Sequence, residues 1–130
     1  DGQARSAMAA ADLVICTSGT ATLEAMLVNR PMVVIYRVGA FSYFLTHGLK
    51  MLKTPWFSLP NILAGEELVP ELGQHQVTTE NIAAECNKWL DDSERRTATR
   101  ARFAGIHASL RKDAAQSAAA CVQSLLETAE

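Results

Sequence analysis

The sequence predicts a parallel α/β fold, and two observations carry that prediction. Two short runs of largely branched apolar residues, at 13–16 and at Met32–Tyr36, have the length of strands. From residue 21 the pattern between them is helical and ends at residues 29–31, so the order is strand, turn, helix, strand. Because both strands are continuously apolar, we expect helices to cover both faces of the sheet.

Length and composition fit one domain and exclude several classes of protein. The 130 residues are 48% hydrophobic and 20% charged, enough for a core and too apolar for disorder. The net charge of −2 argues against nucleic acid as a partner. No apolar run approaches the roughly 20 residues that cross a bilayer. Since the chain begins with Asp1 rather than Met, we expect a piece of a longer protein.

Cysteines and histidines are scattered along the chain. Cys16, Cys86 and Cys121 are an odd number and contain no CxxC pair, so the sequence predicts free, mostly buried thiols rather than disulfides or zinc ligands. The three histidines are equally dispersed, and no metal site is predicted.

Residues 41–53 predict a helix with a single apolar stripe, formed by Phe41, Phe44, Leu45, Leu49 and Leu52. Two interpretations stay open. The stripe packs on the sheet, or it faces the surface of a membrane, where the neighbouring basic residues suit anionic lipids.

The rest of the chain is predicted to be mainly helical. A short strand is expected at 56–59, and an ordered loop with a short acidic helix at 61–73. Helices are expected at 78–90, 93–111 and 114–128. Their expected buried residues are Ile82, Cys86, Trp89, Leu90, Phe103, Ile106, Leu110, Ala115, Ala118, Ala119, Val122, Leu125 and Leu126.

The segment between the first strand and the first helix carries the candidate chemistry. Gly19 permits close backbone approach, and the helix start attracts phosphate. The hydroxyls of Ser18, Thr20 and Thr22 are further donors, and Glu24 lies one turn on, where a carboxylate suits a pair of ribose hydroxyls. The alternative is a helix cap without a ligand, in which Thr20 is the cap and Glu24 favours the dipole.

Three blocks, in order and with plausible spacing, resemble the C-terminal part of the lipid-A-disaccharide synthase family. They are T-S-G-T-A-T-L-E-A-M-L at 17–27, R-P-M-V-V-I-Y-R at 30–37 and S-L-P-N-I-L-A-G-E-E-L-V-P-E-L at 58–72. The S-G-T-x-T-x-E element at 18–24 is shared with other two-domain transferases, including the peptidoglycan N-acetylglucosaminyltransferase, and with a related 2-epimerase. The S-L-P-N-I-L-A-G block at 58–65 distinguishes this family from them.

The resemblance implies the C-terminal Rossmann-like portion of a two-domain, GT-B-type inverting glycosyltransferase. Residues 1–73 would belong to the UDP-sugar-binding domain and 74–130 would be its C-terminal helices. The implied reaction joins UDP-2,3-diacylglucosamine to 2,3-diacylglucosamine 1-phosphate and releases UDP. The general base would lie in an N-terminal domain outside this chain. The enzyme would be cytoplasmic and peripheral to the inner membrane.

The resemblance also implies roles for particular residues. The donor site would comprise Ser18, Gly19, Thr20, Thr22, Glu24, Arg37 and Asn61. Of these, Arg37 offsets phosphate charge at the end of the second strand, and Asn61 reaches the cleft as a polar group. Neither metal nor cofactor is expected. The alternatives are a peptidoglycan transferase or 2-epimerase of the same architecture and a non-catalytic nucleotide-binding module, and a homo-oligomer stays open.

Overall fold

The centre of the fold is a three-stranded parallel sheet. The computed structural model describes residues 2–37, 55–111 and 114–127. The strands are β1 (Val14–Thr17), β2 (Met32–Tyr36) and β3 (Glu71–Gly73), and they pair in the order β1-β2-β3. Val14 pairs with Met32, and Val34 pairs with Glu71. The predicted α/β class and the predicted unit from residue 13 to residue 36 are confirmed.

Six helices and one 3-10 turn accompany this sheet in the described residues. The helices are α1 (Ala4–Ala10), α2 (Thr20–Leu27), α3 (Leu59–Ala64), α4 (Thr79–Asp91), α5 (Ser93–Leu110) and α6 (Ala114–Glu127), and the 3-10 turn is Gln74–Gln76.

The core lies between β2, α2 and the two helices α4 and α5. Met26 of α2 and Met32 of β2 are buried, together with Trp89 of α4 and Phe103 of α5. The Trp89 indole donates a hydrogen bond to the backbone oxygen of Met32 at 3.1 Å, which satisfies its polar atom inside the core.

The two faces of the sheet are not equally covered. On β1, Val14 and Cys16 are buried, whereas Ile15 is 51% exposed. Since successive strand residues point to opposite faces, one face of β1 lies open among the described residues. The expectation of cover on both faces is therefore wrong for β1, which is an edge strand of the described sheet. It holds better for the central strand β2, whose first three residues are buried.

The segment from 55 to 73 differs from its prediction. Instead of a strand at 56–59, helix α3 begins at Leu59 after Ser58, with Pro60 in its first turn, where proline costs no hydrogen bond. Instead of an acidic helix, Glu71 begins β3. The acidic composition favours a helix locally, but pairing with β2 overrides that preference.

The C-terminal helices lie where the sequence predicts them. Thr78 caps α4, and its hydroxyl accepts a hydrogen bond from the Asn81 N–H at 3.2 Å. Their buried faces are narrower than expected, because Leu90 is 52% exposed and Leu110 44%.

Helix α6 departs furthest from its expected burial. Val122 is 57% exposed, and Ala118 and Ala119 are exposed as well. No described element covers these three side chains, so this face of α6 has no partner among the described residues. Cys16 is buried as predicted and Cys86 is half-buried, but Cys121 on α6 is exposed, and all three thiols are free.

The predicted helix at 41–53 lies outside the described residues, and with it the whole apolar stripe of Phe41, Phe44, Leu45, Leu49 and Leu52. Among the helices that are described, none has both the length and the apolar character needed to cross a membrane.

Candidate functional site

The carboxyl ends of the strands form the candidate site. In parallel α/β sheets ligands bind outside these ends. A cavity of about 280 Å³ lies there, lined by Thr17, Ser18, Tyr36, Arg37 and Phe57. A second cavity of about 290 Å³ shares Thr17, Tyr36 and Arg37 with the first and extends to Val77. The structure thus brings two predicted site residues, Ser18 and Arg37, to one cavity.

The turn that starts α2 presents its backbone to solvent. Gly19 has φ 136° and ψ −158°, a conformation that is essentially restricted to glycine. It occupies the cap position and supplies no side-chain cap, so the interpretation of Thr20 as the cap is wrong. The first N–H groups of a helix have no acceptor within the helix and carry its positive end. Gly19 and Thr20 are exposed, and the turn therefore offers backbone donors to an anion.

The Ser18 hydroxyl is committed to the protein. It donates to the backbone oxygen of Phe57 at 2.9 Å. Because a carbonyl only accepts, the single hydroxyl proton is used in this bond, and Ser18 keeps only acceptor capacity. The expectation that Ser18 donates to phosphate does not fit this geometry.

Thr22 supports the turn from inside. It is fully buried, and its hydroxyl donates to the Gly19 backbone oxygen at 2.7 Å. Thr22 therefore fixes the shape of the turn instead of facing the cleft. Among the three predicted hydroxyl donors, Thr20 is the exposed one.

Glu24 and Arg37 are the charged groups expected at the site. Glu24 is half-buried one turn into α2, and no hydrogen-bond or ion-pair partner of its carboxylate occurs among the described residues. Arg37 follows β2 and is exposed, and its guanidinium donates to the Val77 backbone oxygen at 2.9 Å. Arg37 also lines both cavities, and a guanidinium has more N–H groups than this one bond uses.

Asn61 lies inside the protein and not in the cleft. It is fully buried, and its amide donates to the Val69 backbone oxygen at 2.9 Å and to the Glu71 carboxylate at 2.8 Å. Its side-chain oxygen accepts from the Leu68 and Val69 N–H groups at 2.8 and 3.0 Å. All four hydrogen-bonding positions of the amide are used by the protein. Asn61 therefore holds the loop before β3, which corrects the expectation that it reaches a ligand.

Sequence reasoning missed Tyr36, Phe57 and Glu71. The Tyr36 and Phe57 rings stack at a centroid distance of 4.4 Å and line the first cavity. Glu71 accepts hydrogen bonds from Phe57, Ser58 and Asn61. The available signal was a single acid within the apolar run Val69-Pro70-Glu71-Leu72, since a carboxylate in such a run needs polar partners.

Two further observations concern the thiol of Cys16, which precedes Thr17 in β1, and groups of metal-ligating residues. Burial raises the pKa of the Cys16 thiol to about 11, so this cysteine of β1 stays protonated and weakly reactive. In the part of the chain that the structure describes, no three His, Cys, Asp or Glu residues come together as a metal-binding group.

The parallel sheet, the glycine-started turn at the end of β1 and the crossover through α2 define this chain as part of a Rossmann-like α/β protein. The family model for lipid-A-disaccharide synthetase matches residues 1–125. The chain belongs to this family, and the resemblance drawn from its three sequence blocks is confirmed.

Named relatives agree with the family match. The chain is 50% identical to a lipid-A-disaccharide synthase of Alcanivorax borkumensis, over 98% of this chain and 33% of that protein. It is 48% identical to the lipid-A-disaccharide synthase of Chromohalobacter salexigens, over 97% of this chain and 32% of that protein. The identity to the synthase of Xanthomonas campestris pv. campestris is also 48%, over 100% of this chain and 30% of that protein. The chain thus spans about a third of the length of these curated relatives.

Proposed function

We propose that this chain is the donor-binding part of a glycosyltransferase that joins UDP-2,3-diacylglucosamine to 2,3-diacylglucosamine 1-phosphate. The products are lipid A disaccharide and UDP. The observation that carries the proposal is the exposed, glycine-started N-terminus of α2, which lies at the carboxyl edge of a parallel sheet. The names of the relatives support the choice of reaction.

The donor diphosphate is bound at the turn. The N–H groups of Gly19 and Thr20 and the Thr20 hydroxyl donate to its oxygens, and Arg37 offsets its charge. Negative charge grows on the departing UDP as the glycosidic bond breaks. The same groups then stabilise the transition state more strongly than the bound donor, which is how they accelerate the reaction.

Glu24 binds the ribose of the donor. A carboxylate accepts from two neighbouring hydroxyls at once, and the Glu24 carboxylate has no partner among the described residues that it would have to release. The general base that deprotonates the acceptor hydroxyl belongs to the part of the enzyme outside this chain. Because the N–H groups of the turn and Arg37 offset the diphosphate charge, the reaction as proposed uses no metal and no cofactor.

Both substrates carry acyl chains, so we place the enzyme at the cytoplasmic surface of the inner membrane. The stripe at 41–53 is the proposed contact. Glutamate at both Phe44 and Leu45 is expected to abolish binding to anionic vesicles while the melting temperature is unchanged. Loss of folding in this double variant would instead show that the stripe packs on the sheet.

The decisive experiment uses a complete synthase that carries this segment. Calorimetric titration with UDP should give saturable binding, and a substrate panel should show transfer from UDP-2,3-diacylglucosamine. N-acetylglucosamine should not be transferred from its UDP derivative to a peptidoglycan precursor, and UDP-N-acetylglucosamine should not be epimerised. Saturable UDP binding without transfer would indicate a non-catalytic nucleotide-binding module, whereas absence of UDP binding would show that residues 18–24 form only the start of a helix.

A further inference from the structure

The Glu71 carboxylate binds the segment that precedes α3 with both of its oxygens. Oε1 accepts from the Ser58 N–H at 2.9 Å, from the Ser58 hydroxyl at 2.7 Å and from the Asn61 amide at 2.8 Å. Oε2 accepts from the Phe57 N–H at 2.8 Å. Hydrogen bonds to a charged acceptor are roughly twice as strong as neutral ones. Four of them fix the position of residues 57–61 against the start of β3.

Phe57 connects this carboxylate to the candidate donor site. Its N–H donates to Glu71, and its carbonyl oxygen accepts the Ser18 hydroxyl at 2.9 Å. Its ring packs against the Tyr36 ring at a centroid distance of 4.4 Å, and both residues line the cavity. The Phe57 carbonyl shares its peptide group with the Ser58 N–H, which also donates to Glu71, so the carboxylate holds the peptide groups on both sides of Phe57. A shift of Phe57 would therefore change where the Ser18 hydroxyl points.

We propose that Glu71 is a positioning residue of the donor site, acting on Ser18 through the backbone on both sides of Phe57. The inference rests on the proposed function. Glu71 holds the Phe57 carbonyl where it accepts the hydrogen bond of the Ser18 hydroxyl, so Ser18 meets the ligand as an acceptor only. The backbone N–H groups of the turn bind the phosphate oxygens. Ser18 accepts a hydrogen bond from a hydroxyl or N–H group of the UDP-sugar.

The division of bonds between the two oxygens makes Glu71→Gln a selective variant. The glutamine oxygen can replace Oε1 and keep its three hydrogen bonds. The glutamine NH2 group then lies opposite the Phe57 N–H, and since both groups can only donate, that hydrogen bond is lost. In a complete synthase carrying this segment, we expect this variant to raise the donor KM about tenfold, with a much smaller change in kcat. Glu67→Gln is the matched control, because Glu67 is an exposed acid of the same segment.

A double-mutant cycle with Ser18→Ala separates positioning from simple support of the fold. If Glu71 acts through Ser18, Glu71→Gln raises the donor KM of the parent enzyme but adds little in the Ser18→Ala background. Equal increases in both backgrounds would overturn the proposal, as would a lowered melting temperature with an unchanged donor KM. If Glu71→Gln does not fold, Glu71→Asp enters the same cycle, since it keeps the charge and both oxygens but withdraws them from the Phe57 and Ser58 N–H groups by the length of one methylene.

The failure of this inference is distinguishable from failure of the proposed function. A donor KM that responds to Glu24→Ala but not to Glu71→Gln overturns the role of Glu71 alone. A parent enzyme that shows no saturable UDP binding overturns both.

Discussion

Two regions meet at the candidate site, and they are held in place by different forces. Residues 14–36 form β1, α2 and β2, and apolar packing dominates their contacts: Ala25, Met26 and Val33 are at most 1% exposed. Residues 57–73 form α3, a loop and β3, and polar side chains that bind backbone groups dominate there. Apolar packing is non-directional and adjusts to change, whereas a buried polar network fails when one member is lost.

The largest expected effect therefore belongs to the polar region. Asn61→Ala removes the amide that binds two N–H groups and one carbonyl of the loop, and it removes one of the three hydrogen bonds to Oε1 of Glu71. We expect the free energy of unfolding to fall by about 3–4 kcal/mol. Val33→Ala in β2, which is equally buried, should cost about 2 kcal/mol.

Urea denaturation of both variants and the parent measures this difference. Asn61→Asp sharpens it, because the isosteric change puts an oxygen against the Val69 carbonyl and Glu71, and should be no better tolerated than alanine. An Asn61→Ala variant that loses less than Val33→Ala would contradict the contrast between the two regions.

The next effect concerns binding rather than folding. Glu24→Ala in a complete synthase should weaken use of the UDP-sugar donor by about 1.5–3 kcal/mol, because charge-assisted hydrogen bonds to the ribose are lost. The melting temperature should stay the same, since no bond of the Glu24 carboxylate occurs among the described residues. Donor kinetics and UDP inhibition check this, with Glu67→Ala as the control. Unchanged kinetics would reduce Glu24 to a residue that only favours the helix dipole.

One glycine in each region gives a smaller test. A Cβ at Gly73 would lie 2.6 Å from Tyr36 ring atoms, whereas a Cβ at Gly19 meets nothing within 4 Å but keeps φ at 136°. Each substitution by alanine should cost about 1–3 kcal/mol, from overpacking at Gly73 and from backbone strain at Gly19.

The two causes are separable with a smaller side chain at position 36. Tyr36→Leu should offset part of the cost of Gly73→Ala and none of the cost of Gly19→Ala, measured by urea denaturation of all single and double variants. Equal behaviour of the two glycines would show that packing against Tyr36 does not decide the position of β3.

The smallest effect follows from the buried thiol of β1. Burial raises the pKa of Cys16 from 9.0 to about 11, so the unfolded state loses this proton first. The contribution of the protonated Cys16 thiol to the free energy of unfolding is complete below pH 9 and is lost as the pH rises towards 11. Cys16→Ala should flatten the decline in melting temperature over that range.

Alkylation at pH 8 gives a second readout of the same burial. Exposed Cys121 should react first, half-buried Cys86 next and Cys16 last. Rapid modification of Cys16 would show that β1 opens readily.

The elements whose contacts are local or periodic could be predicted. The β1-α2-β2 unit, the Thr78 cap of α4 and the glycine turn at residue 19 all follow from short patterns. The apolar run of β2 also places Arg37 at the carboxyl end of that strand, where it lines the cavity. The orientation of the polar side chains could not be predicted, because Ser18 binds Phe57 across 39 positions in the sequence.

Apolar periodicity and short motifs are local properties, so the amino-acid sequence was enough to predict the parallel α/β class, the family and a candidate site at the end of β1. Tertiary structure alone decided that Glu71 begins a strand instead of lying in a helix, and that Asn61 and Thr22 support the site from inside. The physical reason is that a polar side chain is directed by the partners that remain when water is excluded, and those partners come from distant parts of the chain.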